Sequence, residues 1–291
     1  MTREKGHKML TVLKVIGIII LVIVVLYLLM IMPRMINRPD FTPFQGRLYA
    51  HRGLHDNETN APENSLNAFQ KAVDAGYGIE LDVQLTKDEI MVVCHDFDLK
   101  RICGADVKVR DLTFEELQGY HICKSDQTIP TFEEVLRLID GKVPLIIEYK
   151  VPGMSAKVCE MADALLQDYK GLYCVESFHP LAVLWYRRNR KEIVRGILSD
   201  SYIKEGMTDM PKVVYGITHH MLVNFLISPD FIAYHHKYYK DLSRTLCRKL
   251  YHAPAVAWTI KSQQQLEDRK DDFDIFIFDS FLPKDGPVFK N

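Results

Sequence analysis

Eight short, almost wholly apolar runs recur along residues 46–291, and nothing else in the chain restricts its fold as tightly. They fall at 47–50, 78–83, 144–149, 172–177, 193–198, 225–233, 255–260 and 273–278. Stretches of helical period separate most of them, at 65–75, 155–168, 180–189, 237–249 and 263–270. Most runs are apolar throughout rather than alternating, the pattern of strands covered on both faces. Eight of them interleaved with helices in a segment of this length predict an α/β fold, a (β/α)8 TIM-type barrel. An open doubly wound sheet is the alternative. A ninth run at 90–94 follows the second across the turn Thr86-Lys87-Asp88-Glu89, so the two should form a hairpin at the barrel rim.

Upstream, Val15 to Met32 gives 18 consecutive residues without a charge, preceded by Arg3, Lys5, Lys8 and Lys14. That length suffices for a bilayer-spanning helix, and the run lacks the polar face of a helix buried in a soluble domain. A cleaved signal peptide would have a shorter apolar core and small residues at its cleavage site, whereas Pro33-Arg34-Met35 follows here. The expected layout is a basic segment and transmembrane helix (1–36), a linker containing Pro39 and Pro43 (37–45) and the barrel domain (46–291). Such a chain is a single-pass protein of the cell membrane. Four basic residues precede the run and only Arg34 and Arg38 closely follow it, which favours a cytoplasmic N-terminus and an extracytoplasmic catalytic domain. The cysteines pull the other way. Cys94, Cys103, Cys123, Cys159, Cys174 and Cys247 show no paired spacing and read as small hydrophobes rather than a disulfide framework. The extracytoplasmic placement keeps a slight preference.

Six of the 37 Lys and Arg and two of the 38 Asp and Glu lie in the first 45 residues, which leaves the rest of the chain five units negative. With no evident basic stripe, nucleic acid is not an expected partner.

The polar residues that interrupt the apolar runs sit where a barrel keeps its active site, at strand C-terminal ends. His51 and Arg52 end the first run, Glu80 and Asp82 the second, and Glu148 and Lys150 the third. Ser177 and Phe178 end the fourth, and Trp258 lies near the end of the seventh. Glu80 and Asp82, two apart on a strand, share a face, and Glu148 adds a third carboxylate. Three such charges cannot all stay ionised without a cation among them, and an all-oxygen set suits Mg²⁺ or Ca²⁺ better than zinc. A Glu-x-Asp pair is ordinarily a surface feature; its position in an apolar strand reverses that reading. His51 and His95 titrate nearest neutrality and suit a general acid/base pair, while Arg52 offers a planar fork for phosphate. A metal, an arginine and two histidines are what phosphodiester cleavage requires. His219-His220 and His235-His236 lack partners at ligand spacing and read as solvated loop residues. Asn64 or Ser65 reads as a helix cap, Glu63 as a support of the site and Asp96 as a residue that orients a neighbour. The basic cluster Arg187, Arg188, Arg190 and Lys191 reads as a solvated helix end, with anionic headgroups as the other option.

These residues lie in an ordered series of motifs. They are H-R-G (51–53), P-E-N-S (62–65), I-E-L-D-V-Q-L-T-K-D (79–88), H-D-x-x-L-x-R (95–101), D-L-T-F-E-E-L (111–117), I-P-T-F-E-E-V-L (129–136), I-E-Y-K (147–150) and S-F-H-P (177–180). A-W-T-I (257–260) and I-F-D (277–279) continue it more weakly. From Gly46 onward the chain resembles the glycerophosphodiester phosphodiesterase family. The resemblance implies a metal-dependent barrel enzyme that hydrolyses glycerophosphodiesters to glycerol 3-phosphate and an alcohol, here joined to the membrane anchor read from the apolar run. It implies His51 and His95 as the acid/base pair, and Glu80, Asp82 and Glu148 as metal ligands. Arg52 and Lys150 would contact the phosphate, with Trp258 also on the substrate. The substrate's own glycerol hydroxyl would be the first nucleophile, giving a cyclic phosphate that water opens. Residues 97–128 match the family's insertion that caps the barrel mouth. Ile260-Lys261 and Phe278 depart from the more polar residues usual there, and would change the pocket's polarity. Two other functions stay open: a lysophospholipase D acting on lysophospholipids, and a non-catalytic phosphodiester-binding protein.

Overall fold

The computed structural model describes residues 2–207 and 211–289, with side chains from residue 7 onward. Its nine strands are β1 (Leu48–His51), β2 (Gly78–Leu85), β3 (Met91–Val93), β4 (Leu145–Tyr149), β5 (Tyr173–Ser177), β6 (Arg195–Ser199), β7 (Phe231–His235), β8 (Ala255–Ile260) and β9 (Ile275–Phe278). All but β3 are parallel, and β1 pairs with both β9 and β2, so the eight parallel strands close into a TIM-type barrel. β3 is the hairpin partner, antiparallel to the far end of β2 through Val83↔Val93 and Leu85↔Met91. Because β2 leaves the barrel to make that pairing, Glu80 and Asp82 lie mid-strand rather than at its end.

The run at 225–233 is split. Asn224–Ile227 is a helical turn, Ser228 caps it in the left-handed region at φ 45°, and β7 starts only at Phe231, after Pro229. The residue before a proline is pushed out of the helical region, so one apolar run serves two elements. The helix Phe132–Ile139, announced by the reciprocal cap between Thr131 and Glu134, and the helix Lys212–His219 are additional to those expected. All six cysteines are free thiols; Cys94, Cys159, Cys174 and Cys247 are buried, as small hydrophobes are.

Strand alternation divides the core into two. Leu48, Ala50, Ile79, Leu81, Leu145, Ile147 and Val175 face the surrounding helices. Tyr49, Ile146, Cys174, Phe231, Val256 and Ile275 face inward and fill the lower half of the barrel. Phe41 and Phe44, on the short turn before β1, plug that end, with the Phe41 ring 5.5 Å from Phe231 and 5.8 Å from Phe44. The next inward positions up the strands are polar. Residues 97–128 fold around their own apolar cluster, which includes Leu99, Ile102, Val109, Leu117 and Ile122. Lys124 pairs with Glu58 at 2.5 Å and the Asp126 amide donates to Asn60 at 3.2 Å, which ties this segment to the loop after β1.

The helix Thr2–Ile31 contains one stretch, His7–Ile31, long and apolar enough to cross a membrane, with a mean hydropathy of 3.2 and its most apolar 18 residues free of the protein interior. Only its last turn meets the barrel. The Ile31 carbonyl accepts from Asn224 Nδ2 at 3.1 Å and Cys247 Sγ at 3.4 Å, and the Leu28 carbonyl accepts from the Tyr251 hydroxyl at 2.8 Å. Barrel side chains thus satisfy carbonyls that a helix end leaves without partners.

Gly196 faces inward on β6, where an added Cβ would lie 2.1 Å from the Phe231 ring. Gly196→Ala is therefore expected to destabilise the barrel by about 1–3 kcal/mol, the usual cost of overpacking, measured as a lowered urea midpoint at unchanged m-value.

Candidate active site

The polar layer is built by register. His51 on β1 pairs with Glu80 on β2; Asp82 pairs with Glu148 on β4, and Glu148 with Glu176 on β5. Neighbours in register on parallel strands project to the same side, so four carboxylates and a histidine crowd the upper half of the barrel. Glu80, Asp82, Glu148 and Glu176 are all buried. Glu80, Glu148 and Glu176, together with His51, His95, Phe178 and Trp258, border a cavity of about 110 Å³ at the mouth.

Burying carboxylates without partners is costly. Lys150 bridges two of them, with Nζ 3.0 Å from Asp82 and 2.5 Å from Glu148. Asn64 Nδ2 donates to Asp82 at 2.9 Å, and Arg52 Nε lies 3.5 Å from the same carboxylate. Burial by itself would raise the Asp82 pKa, but Lys150, His95 and Arg52 hold it well below the usual range. Glu80 goes the other way: burial and then the charges of Asp82 and Glu148 raise it. Burial likewise raises Glu148 and Glu176. One ionised carboxylate thus sits beside three that resist ionisation, a crowding of acidic groups that a bound cation would relieve.

Arg52 turns sharply after β1, at φ 55°, so its amide meets both the backbone carbonyl and the carboxylate of Glu80, at 2.9 and 3.1 Å. Its guanidinium donates to Glu63 at 2.6 Å, and Arg101 clamps Glu63 from the other side with two bonds of 2.7 Å. Arg101 also fixes Asp96, which accepts from His95 Nδ1 at 2.6 Å. His51 Nδ1 faces Asp279 at 3.2 Å, and His55 Nε2 reaches the other oxygen of Asp279 at 3.2 Å. Burial lowers the His51 pKa to about 4, against the opposing effect of the hydrogen bond it donates to Asp279. The ring is neutral at pH 7. Since the ionised Asp279 only accepts, Nδ1 carries the proton and Nε2 keeps the lone pair.

Ligand atoms of Asp82, His95 and Glu148 lie within 4.8 Å of one another, as do those of His51, His55 and Asp279. The first set fits a divalent cation: an ionised carboxylate, a second carboxylate within reach and an imidazole at one point. Glu80 is not in that group; it borders the group from beneath Arg52 and His51. Lys150 lies among the carboxylates, and Trp258 closes the far wall with its indole 5.5 Å from the Phe178 ring.

Glu176, Asp279 and His55, outside the expected set, also enter the site. Glu176 is visible in sequence only as an acid in the apolar strand Cys174-Val175-Glu176, and Asp279 as the acid that ends the last strand. His55 follows a turn and carries no such signal. Asn64 is not the helix cap; Ser65 fills that role, accepting from the Ala68 amide. The paired histidines are not solvated loop residues: His235 ends β7 facing Trp258 at 5.0 Å, His236 is buried, and His219 contacts the Asp200 carbonyl at 3.0 Å.

A parallel barrel that gathers carboxylates, cations and histidines at its strand ends is a barrel enzyme in plan. The profile of the Glycerophosphoryl diester phosphodiesterase family matches residues 51–269. The chain is 33% identical over 173 residues to a glycerophosphodiester phosphodiesterase of Bacillus altitudinis, covering 55% of this chain and 69% of that protein. It is 35% identical over 160 residues to Lysophospholipase D GDPD1 of Rattus norvegicus, covering 50% of this chain and 48% of that one. The chain thus spans about half the length of several curated relatives it matches. Among solved structures, a glycerophosphodiester phosphodiesterase from Thermotoga maritima superposes with a TM-score of 0.60 at 25% identity, over 79% of this chain and 93% of that one. A phosphodiesterase from Oleispira antarctica, in complex with the product sn-glycerol-3-phosphate, does so at 0.66 and 21%, over 81% and 94%. The chain belongs to the glycerophosphoryl diester phosphodiesterase family, whose relatives named here are phosphoric diester hydrolases.

Removing Lys150 leaves Asp82 and Glu148 buried side by side without their shared cation. Lys150→Met is expected to cost about 3–5 kcal/mol at neutral pH in chelator, by urea denaturation. Glu148, whose pKa burial raises, takes up its proton first as pH falls, so the loss should shrink on acidification.

Proposed function

We propose that this protein is a membrane-anchored, metal-dependent phosphodiesterase that hydrolyses glycerophosphodiesters to glycerol 3-phosphate and an alcohol. The observation that carries the reading is the neutral, Asp279-held His51 at the same mouth as His95, Arg52 and the buried carboxylates. Asp82 and Glu148, with Glu80 close by, are the residues that would hold a Mg²⁺ or Ca²⁺ ion. Bound there, the ion would offset charge on the phosphoryl oxygens.

The chain's own groups do the rest. His51 Nε2, unprotonated at pH 7, takes the proton from the attacking hydroxyl, while Asp279 holds Nδ1–H and stabilises the imidazolium that forms. His95, fixed through Asp96 and Arg101, delivers a proton to the leaving oxygen. Arg52 and Lys150 face the phosphate, and Trp258 and Phe178 wall the organic part of the substrate. Residues 97–128 cap the mouth, and the helix Thr2–Ile31 anchors the domain in the cell membrane, on its outer side. The nearness of His95 to Asp82 and Glu148 gives it a second potential role as metal ligand; His95→Gln separates the two, since only a ligand role weakens metal affinity along with turnover.

A second reading is lysophospholipase D activity. A cavity of about 840 Å³ opens beside His55 and Asp279, with Leu54, Phe278, Phe281 and Leu282 in its wall. It has room for part of an acyl chain, and relatives carry that name.

The full-length protein in neutral detergent should release glycerol 3-phosphate from glycerophosphocholine in the presence of Mg²⁺ or Ca²⁺ and not with chelator. His51→Ala and Glu80→Ala should each lose on the order of 10²–10⁴ of the rate. Release of choline from lysophosphatidylcholine in place of that reaction would favour the second reading, and inactivity on both, by folded and metal-loaded protein, would leave a binding protein. Asp279→Asn should lower kcat/KM by on the order of 10³, because the imidazole loses its fixed tautomer. Asp279 raises the His51 pKa, so the acid limb of the profile, set by a base titrating at about 4, should move to lower pH in this variant.

A further inference from the structure

At the end of the barrel opposite the mouth, a cavity of about 350 Å³ opens directly below the apolar helix. Its walls bring together Arg34, Met35 and Ile36, just past the helix, with Arg187, Lys191 and Arg195 from the barrel. Arg195 begins β6, so this is the N-terminal face of the barrel and no part of the catalytic layer.

The charge balance is unusual. Asp230 is the acid that faces these cations, 3.3 Å from Arg34 and 3.6 Å from Arg195. Arg190, next in sequence to the group, is committed elsewhere, to Asp163 and Glu192. Among the described residues, four cationic side chains thus line this cavity, and one carboxylate, Asp230, pairs with two of them. Arg195 is only 2% exposed, and its Nε and Nη1 have no hydrogen-bond partner among the described residues; Nη2 alone donates, to the Ser228 carbonyl at 2.9 Å. Buried guanidinium donors are seldom left without an acceptor. Arg34 and Arg187 are steered into place by backbone carbonyls, Arg34 by Lys191 at 2.9 Å and Arg187 by Phe225 at 3.2 Å and by Leu226. Around this basic pocket the surface is apolar: Ile36 is 75% exposed and Leu226 50%, with Met35 and Phe225 beside them.

We propose that this pocket binds the phosphate of an anionic membrane phospholipid. The inference rests on reading Thr2–Ile31 as a bilayer span: the residues just past such a span lie at the headgroup level, where exposed apolar side chains meet acyl chains and arginine forks meet phosphates. A bound lipid phosphate supplies the acceptor that Arg195 lacks. It also gives a role to Arg187 and Lys191, two members of the basic cluster at 187–191.

Carbonate extraction of membranes holding the full-length protein comes first. Release into the supernatant would overturn the span, and this proposal with it; retention leaves the lipid site to be tested alone. Full-length protein in neutral detergent is then given dioleoylphosphatidylglycerol, dioleoylphosphatidylcholine or inorganic phosphate, with retained lipid read by native mass spectrometry and the thermal midpoint followed in parallel. The anionic lipid should be retained over the zwitterionic one and should raise the midpoint. Lys191→Gln, an exposed change that leaves folding intact, and Arg187→Gln should each weaken retention by about fivefold, the effect of one interfacial charge. Arg188→Gln, exposed and outside the pocket, should change nothing, and hydrolysis of soluble substrate should be equal in all. Equal retention of both lipids, equal loss in Arg188→Gln, or a midpoint rise with inorganic phosphate matching that with lipid would each overturn the proposal.

Discussion

The structure depends on how a barrel interior tolerates four carboxylates. Glu80, Asp82, Glu148 and Glu176 are buried in one layer, where isolated ions would each carry a desolvation cost of several kcal/mol. The protein offsets that cost unevenly. Asp82 receives the Lys150 ammonium, the Arg52 guanidinium and the Asn64 amide, while Glu176 keeps a buried oxygen without a partner among the described residues. Protons settle the difference, since burial raises three of the four carboxyls and the cations hold the fourth down. A divalent ion entering this layer would meet one ligand already ionised and would have to displace protons from the others. Metal binding and proton release would therefore be coupled here.

The remaining cationic contacts extend outward from that layer. Arg52 can approach Asp82 because the chain turns at a positive φ just beyond β1, a conformation uncommon for arginine. What holds the turn is the pair of Glu80 contacts to its amide and the Glu63 carboxylate on its guanidinium. Glu63 in turn is locked by Arg101, which also orients Asp96 and, through it, His95. The loop after β1 and the start of the 97–128 segment thus share one ion-pair network. Loss of any member would be felt on both sides of the mouth.

Much of this was legible in the sequence because the inward positions obey strand period. His51, Glu80, Asp82 and Glu148 stand out as polar residues at fixed points in apolar runs, and the runs themselves report strands covered on both faces. Legibility fails where one pattern serves two elements. Residues 225–233 are apolar across a helical turn, a left-handed Ser228 and a strand, and only Pro229 hints at the break. It fails again where a role is made by register across strands far apart in sequence. Asp279 meets His51 over 228 residues, a partnership set by β9 closing on β1. Glu176 becomes a member of the carboxylate layer only when β5 falls beside β4. The helix cap at Ser65 and the hydrogen bond that Asn64 donates to Asp82 differ by one position, which local chemistry cannot separate because both residue types favour caps.

The seat of the apolar helix constrains the substrate question as well. A flexible tether would let the mouth sample many angles to a membrane, and solvated lysolipid or soluble diester would be equally accessible. Here the last helical turn gives its free carbonyls to Asn224, Cys247 and Tyr251, and the chain then crosses the N-terminal end of the barrel through Arg34 and Arg38 before plugging it with Phe41 and Phe44. Those contacts belong to the end of the barrel that lies away from the catalytic layer. For a helix that spans a bilayer, the lipid surface is then met by the barrel's base and flank, and the mouth opens to water. A substrate that has left the membrane reaches such a mouth by diffusion. One that stays in the leaflet must be extracted across the height of the barrel, and the apolar surface it gives up, at about 0.8 kcal/mol per methylene, must be replaced by the wall beside His55 for the reaction to compete.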